Sequence, residues 1–508
     1  MFYKKRDVKP ETESIVVKID DFSKGLNLEK EQNALDPNFC VSVFNFACNK
    51  GVLTESFGIK NLQSPNYQNK KLFDMEQEDG IDWVDLKNVW FFKMYDKNNG
   101  GRVDKLLFYA SDKLIYYSRI ITQVPCITSY YDDIINEVPT FNYNIKYDGV
   151  DYNLFGNETD GIYKIDGLTK AVKLTNFPKL NSMCEDKGKL FGSGYGERNV
   201  VFYHNNLNFN EWTETSDENN GKIQMNDDRG KINKVIPFLG YVFAIRDYGI
   251  SKIINYENKN TLDVVHLNLS GSRIFENTVQ ICGDKMLMLT KDGLCSFNGV
   301  ANKILNLSFN EMLEGIDNDC AQAVFHSGKY YLACRLNFLD DNVVGCESLS
   351  DFKNNALIVL DVETMKFEIL RGIDIKSMCS IKLNSMDKIA IILNNMETQR
   401  VFELDRTGKF YDFNLKKAWI SPLTDLGYSN KIKFVREISV LSKYDASITI
   451  FTEKSKKTFK LYGKDTLNKI KVNLKGKQIG VKIESCVNKA YIANLKINVD
   501  LLDYGFKK

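Results

Sequence analysis

An apolar strand, a turn built on aspartate and a second apolar strand recur along most of this chain. The pattern reads "LLFYASDKLIYYS" around Asp112, "DYNLFGNETDGIYKIDG" around Asp160 and "VFAIRDYGISKII" around Asp247. It returns as "MLMLTKDGLCSFNG" around Asp292, "ALIVLDVETMKFEIL" around Asp361 and "VFELDRTGKFYDF" around Asp405, with a weaker member, "NVVFYHNNLNFNEW", near His204. Most spacings are about 43 to 48 residues, the period of four-stranded propeller blades. Each hairpin has an apolar face that a neighbouring blade must cover, and closing the ring removes most free edges. The long interval from Asp292 to Asp361 contains "LNFLDDNVVGCESLSDFKNN", which reads as a polar insertion. Counted this way, residues 61–415 hold about seven blades. The aspartates have a local cause, because two-residue loops favour the positive φ that Asp, Asn and Gly tolerate. They are therefore structural rather than catalytic.

Beyond Phe413 the strands lengthen and alternate more cleanly. "ASITIFTE" buries Ile448 and Ile450, and "KIKVNLKGKQIGVKIES" pairs two strands across Lys475-Gly476. The lysines fall on the polar face, as in a sheet with one solvated side. Residues 416–508 thus read as a C-terminal β-sandwich, making the fold class all-β: a propeller followed by a sandwich. Residues 1–60 remain as an N-terminal strand and corner segment. In "FSKGLNLEKEQNALDPNFC" (Phe22 to Cys40), Gly25 allows a tight corner and Pro37 ends a turn. The preceding strand "SIVVKID" (Ser14 to Asp20) is expected to complete the last blade beside "RVFELD" and lock the ring. Helical periodicity is nearly absent; "LSFNEMLEGI" is the best short helix.

A chain of 508 residues with a net charge of +2 has no overall bias toward nucleic acid. No apolar run reaches the roughly 20 residues of a membrane span, and the charged N-terminus lacks the core of a signal peptide. The 11 cysteines include no C-x-x-C pair. Cys40, Cys295 and Cys334 lie in strand-like runs and read as buried free thiols of a reducing compartment. Three histidines, His204, His266 and His326, offer no zinc-ligand spacing. Gly192, Gly194 and Gly196 form a glycine-rich stretch, but a strand follows where phosphate binding needs a helix N-terminus. "YDKNNGGRVD" offers Asp96 and Asn98 as calcium ligands, yet Leu107 stands where the twelfth-position glutamate belongs. Asp340 and Asp341 sit in the polar insertion as a solvated pair. No convergent set of carboxylates and arginines suggests a propeller glycosidase. The expectation is a non-enzyme with no cofactor, no catalytic residue and no metal site.

The N-terminal pattern resembles the opening of β-propeller structural proteins of tailed bacteriophages, of the tail nozzle, hub or stabilisation type. The matching positions are Phe22, Gly25, Leu26, Asn27, Leu35, Pro37, Asn45, Gly51, Leu53 and Gly58. Lys24 departs from the usual glycine, and Ser56 stands where an arginine is common. "GKLFGSGYGERNVVFYHNNLNFNEW" with Trp212, "GKINKVIPFLGYVFAIRDYGISKI", and "AWISPLTDLGYSNKIKFVREISV" with Trp419 are similar to later parts of the same group. The resemblance implies a virion component of the tail or head–tail region, synthesised in the bacterial host cytoplasm. Its partners would be portal, adaptor or tail components and further copies in a cyclic homo-oligomer, a hexamer by analogy. Such a ring would help retain packaged DNA and open for its ejection, with passing DNA bound without sequence specificity. The alternative is a carbohydrate- or receptor-binding propeller protein with the sandwich as its recognition module. Its aromatic platform would include Trp419 or Tyr462, although both read more simply as core residues. A WD40-like scaffold lacks its Gly-His and Trp-Asp signatures.

Overall fold

The computed structural model describes residues 13–28, 31–62, 86–96, 100–102, 105–110, 113–119, 127–129, 137–166, 171–194, 198–204, 212, 220–257, 260–269, 271–338, 352–383, 386–394, 401–410 and 413–503. Within them the chain is almost entirely β. Six four-stranded antiparallel sheets follow one another over residues 86–129, 141–173, 180–224, 232–269, 280–304 and 322–371. A seventh sheet is built from Ile375–Leu383, Met386–Leu393, Phe402–Asp405 and Gly58–Asn61, and Lys409–Phe410 and Phe413–Asn414 extend it.

The apolar residues show that these sheets close into a ring. One cluster joins the first and second sheets through Trp90, Phe92, Phe155 and Tyr163. Similar clusters link second to third, third to fourth and fourth to fifth. Sheets five and six meet through Leu287, Leu289, Tyr330 and Leu332, and sheets six and seven through Tyr331, Val359, Ile389 and Ile391. Leu86, Val89 and Phe91 of the first sheet then pack on Ile381, Ala390 and Ile392 of the seventh. Every sheet covers the next, as a β-propeller requires.

Two larger sheets stand apart from the ring. One has six strands: Lys431–Ser442, Leu467–Gly476, Tyr491–Asp503, Phe46–Asn49, Val52–Glu55 and Glu13–Ile19. The other has five: Ser42–Phe44, Lys417–Ile420, Gly480–Ser485, Ala446–Phe451 and Lys456–Leu461. Their inward residues, among them Ile438, Ile450, Ile483, Ile497 and Trp419, belong to one core, which continues into sheets five and six of the ring.

Several expectations change here. Leu467–Gly476 and Gly480–Ser485 do not pair across Lys475-Gly476: the first pairs with Lys431–Ser442 and the second, in the other sheet, with Lys417–Ile420 and Ala446–Phe451. Glu13–Ile19 does not finish the last blade; it pairs antiparallel with Tyr491–Asp503, from Glu13 opposite Leu501 to Ile19 opposite Leu495. The strand beside "RVFELD" is Gly58–Asn61, with Gly58 opposite Asp405 and Asn61 opposite Phe402. Residues 1–60 are therefore no separate unit, because strands up to Glu55 belong with those after Lys416. The repeat also changes phase. Asp160, Asp247 and Asp292 sit between second and third strands, whereas Asp361 and Asp405 end third strands. The polar insertion falls between Lys329–Cys334 and Ala356–Asp361, so the equivalent turn of the sixth sheet lies inside it. "LSFNEMLEGI" contributes a 3-10 turn, Ser308–Leu313.

Candidate functional site

The residues of the N-terminal pattern come together at the join between the ring and the two larger sheets. The Asp21 carboxylate accepts the Ser23 amide at 3.0 Å and opens a 3-10 turn, Phe22–Lys24. Gly25, at φ +73°, closes the turn by donating its N–H to the Phe22 carbonyl. This sets the Phe22 ring edge-on against Trp419, with centroids 5.0 Å apart and planes at 86°. Both side chains are fully buried. The Gly25 carbonyl accepts the Cys40 amide at 2.9 Å, and the Asn27 amide donates to the Cys40 carbonyl at 2.8 Å. At the Pro37 turn, Asn38 Oδ1 accepts the Asp20 and Asp21 amides at 3.0 and 3.1 Å. The two corners are thus tied to each other.

Asn45 ties three distant segments together. It is buried at φ +59°, a conformation asparagine tolerates better than most residues. Its Nδ2 donates to the carbonyls of Arg371 at 3.0 Å and Lys416 at 2.7 Å, while its Oδ1 accepts the Arg371 amide at 2.8 Å. One side chain therefore joins the N-terminal segment, the last strand of the sixth sheet and the entry to the final segment. Gly58 starts the ring-closing strand in a space without room for a side chain, since a Cβ would lie 2.3 Å from the Lys409 carbonyl oxygen. Ser56 is buried and donates to Glu368 at 2.6 Å; the same carboxylate takes the Arg406 guanidinium at 3.2 Å. Lys417, fully buried, points its ammonium at the carbonyls of Gly408, Leu415 and Val487. Burial pushes its pKa down to about 8.

Trp212 lies elsewhere, buried in the core between sheets two and three, with its ring 5.5 Å from that of Phe177. Trp419 is too deeply buried to be a glycan platform, and its Nε1 has no hydrogen-bond partner among the described residues. Tyr462, by contrast, is 58% exposed rather than core. Gly192 and Gly194 lie within the strand Lys189–Gly194 instead of a loop. Tyr95–Asp96 pairs with Gly101–Arg102 as a short hairpin. Asp112, Gly196, Asn98, Asp340 and Asp341 lie outside the described residues.

Two groupings of chemically capable side chains were not visible in the sequence. In the first, Asp227 holds Arg229 at 2.6 Å and the buried Arg246, and it also meets His266 Nδ1 at 3.2 Å. Burial raises the Asp227 pKa, but bonds from Arg229 and the charges of Arg246 and His266 outweigh it and hold the carboxyl below its ordinary range. Ser251 Oγ lies 3.0 Å from the same His266 nitrogen, so histidine cannot relay a proton from serine to aspartate here. In the second, His326 Nδ1 lies 2.8 Å from Ser380 Oγ and its Nε2 lies 3.2 Å from Asp387. Burial lowers the His326 pKa against the pull of Asp387. These residues come from the first hairpins of sheets six and seven, one blade apart, which no short motif could reveal. None of them lines the cleft of about 530 Å³ bordered by Phe451, Lys456 and Lys482. No group of three or more His, Cys, Asp or Glu among the described residues could hold a metal ion.

No family model matches the chain, and no curated protein does. Solved structures give distant likenesses. The crystal structure of BBS1N in complex with ARL6DN is 10% identical, covering 60% of this chain and 88% of that one at a TM-score of 0.39. The structure of Kluyveromyces lactis Hsv2p is 11% identical, covering 53% and 81% at a TM-score of 0.32. At such scores neither informs function, and the propeller rests on the sheet order and the ring of cores.

Proposed function

We propose that this chain is a non-enzymatic structural protein of a tailed-bacteriophage virion, placed in the tail or head–tail region. In this reading it acts by assembling with further copies into a ring that takes part in retaining and releasing packaged DNA. The fold is then a seven-bladed propeller whose partner domain is a β-sandwich, built from both ends of the chain.

The observation that supports this reading is where the N-terminal pattern lies. Phe22, Gly25, Asn27, Pro37, Asn45 and Gly58 are spent on joining the two parts of the molecule, through buried rings, backbone bonds and tight corners. A pattern of that kind suits a scaffold whose two parts must keep a fixed relation. The test is mass spectrometry of purified, nuclease-treated particles from the source culture. Several copies per particle are expected; particles that lack the chain would end the virion reading.

A further inference from the structure

Formal charge is divided unevenly along this nearly neutral chain. Residues 416–508 carry 20 Lys and Arg against 8 Asp and Glu, while residues 56–415 carry 40 against 49. On the outer face of the six-stranded sheet, two lysines of this excess, Lys469 and Lys496, line up with Lys18 of the N-terminal strand. Lys18 stands directly opposite Lys496, Lys496 opposite Ser439, and Ser439 opposite Lys469, across four hydrogen-bonded strands. All three lysines are exposed, and among the described residues none has a carboxylate within ion-pairing distance. With strands about 4.8 Å apart, the row runs roughly 14 Å.

Like charges placed directly opposite one another destabilise a sheet. Lysines on an edge strand can be explained as protection against edge pairing. That accounts for Lys469 on the edge strand Leu467–Gly476, but not for Lys496, whose strand is paired on both sides. An anionic partner laid on the face removes the repulsion. The ring of the same chain offers one. Glu311, Glu314, Asp317 and Asp319 are all exposed within nine residues just after the fifth sheet, and Arg273 pairs with Asp319 at 2.6 Å.

We propose that the lysine row is the docking surface for a second copy of this chain, which presents residues 311–319 to it. The proposal rests on the ring-assembly reading and names its contact. Each copy carries both surfaces, so the contact propagates from copy to copy and closes wherever its rotation permits.

The test uses the full chain in analytical ultracentrifugation. Wild type self-associates at about 50 mM salt and weakens at least tenfold at about 500 mM, as screened charges should. The triple variant Lys18→Glu/Lys469→Glu/Lys496→Glu stays monomeric, and so does Glu311→Lys/Glu314→Lys/Asp317→Lys. An equimolar mixture of the two associates again, because each supplies the complement the other lost. All six positions are exposed, so melting temperatures should confirm that both variants remain folded. Wild type that is monomeric at every concentration, variants that associate like wild type, or a mixture that stays monomeric would each overturn the proposal. So would a wild-type monomer that instead binds a labelled DNA duplex through the lysine row. The particle measurement is independent, so the virion reading and this contact can fail separately.

Discussion

At the scale of single residues, Asn45 carries the clearest consequence. Its buried side chain satisfies one amide and two carbonyls from segments more than three hundred residues away. Asn45→Ala removes those bonds and forces an L-residue without a polar side chain to keep φ +59°. The expected loss is about 2 to 4 kcal/mol by calorimetry. Asn45→Gly loses the same bonds but not the conformational ease, so it should unfold at a higher temperature than Asn45→Ala. His326 gives a pH prediction. Its folded pKa is lowered by burial, opposed by Asp387, with Lys382 adding to the lowering. Above the unfolded value of about 6.5 both states hold a neutral ring. As pH falls through that value the unfolded chain takes up the proton first, so stability is lost until the folded ring also titrates. Melting curves from about pH 8 to 5 should therefore fall more steeply for wild type than for His326→Gln. Equal slopes would show that the ring is not held neutral.

At the scale of elements, the repeat was legible because its signals are local, apolar alternation and a turn residue. The expected cause of the aspartates does not hold, since Asp160, Asp247, Asp292, Asp361 and Asp405 all avoid positive φ and Gly161 and Gly293 beside them take it. Asp160 and Asp247 each accept hydrogen bonds from backbone and side-chain donors at the entrance of their own sheets. The ring-closing strand was not legible. Gly58–Asn61 contributes one buried apolar residue, Ile59, and nothing in four residues identifies Phe402–Asp405 as its partner. "SIVVKID" alternates better but is claimed by Tyr491–Asp503, a choice set by distant geometry rather than by its own pattern. The joining contacts through Asn45 and the lysine row were hidden for the same reason, since cross-strand register has no sequence spacing. Deleting residues 1–24 should accordingly spare the ring. Hydrogen exchange should rise in Tyr491–Asp503, stripped of its neighbour, and in Lys417–Ile420, where Trp419 loses Phe22. Met386–Leu393 and Phe402–Asp405 should stay protected. A loss of protection in the seventh sheet would mean that the first strand supports the ring after all.

At the scale of the molecule, the two parts do not divide at a point along the chain. The sheets after Lys416 need Glu13–Ile19, Ser42–Phe44 and Val52–Glu55, while the next strand of the same N-terminal stretch closes the ring. The core of the larger sheets runs on into sheets five and six, through Phe22, Leu26 and Phe44 beside Phe309 and Phe338. Crossing and recrossing in this way fixes one part against the other, which the proposed assembly would require if its surfaces are to meet the next copy at a constant angle. The same threading makes the chain sensitive to a cut at residue 415. The fragment 1–415 keeps every strand of the seven ring sheets but exposes Phe22, Phe44 and Leu53, which have lost Trp419, Ile483 and Ile492. Alone it should aggregate, because so large an apolar surface has no cover. Co-expressed with residues 416–508 it should purify as a one-to-one complex, since every missing strand is then supplied. A soluble, monomeric 1–415 with the melting temperature of the whole chain would show that the ring stands alone, and that the shared core joins the parts without supporting either.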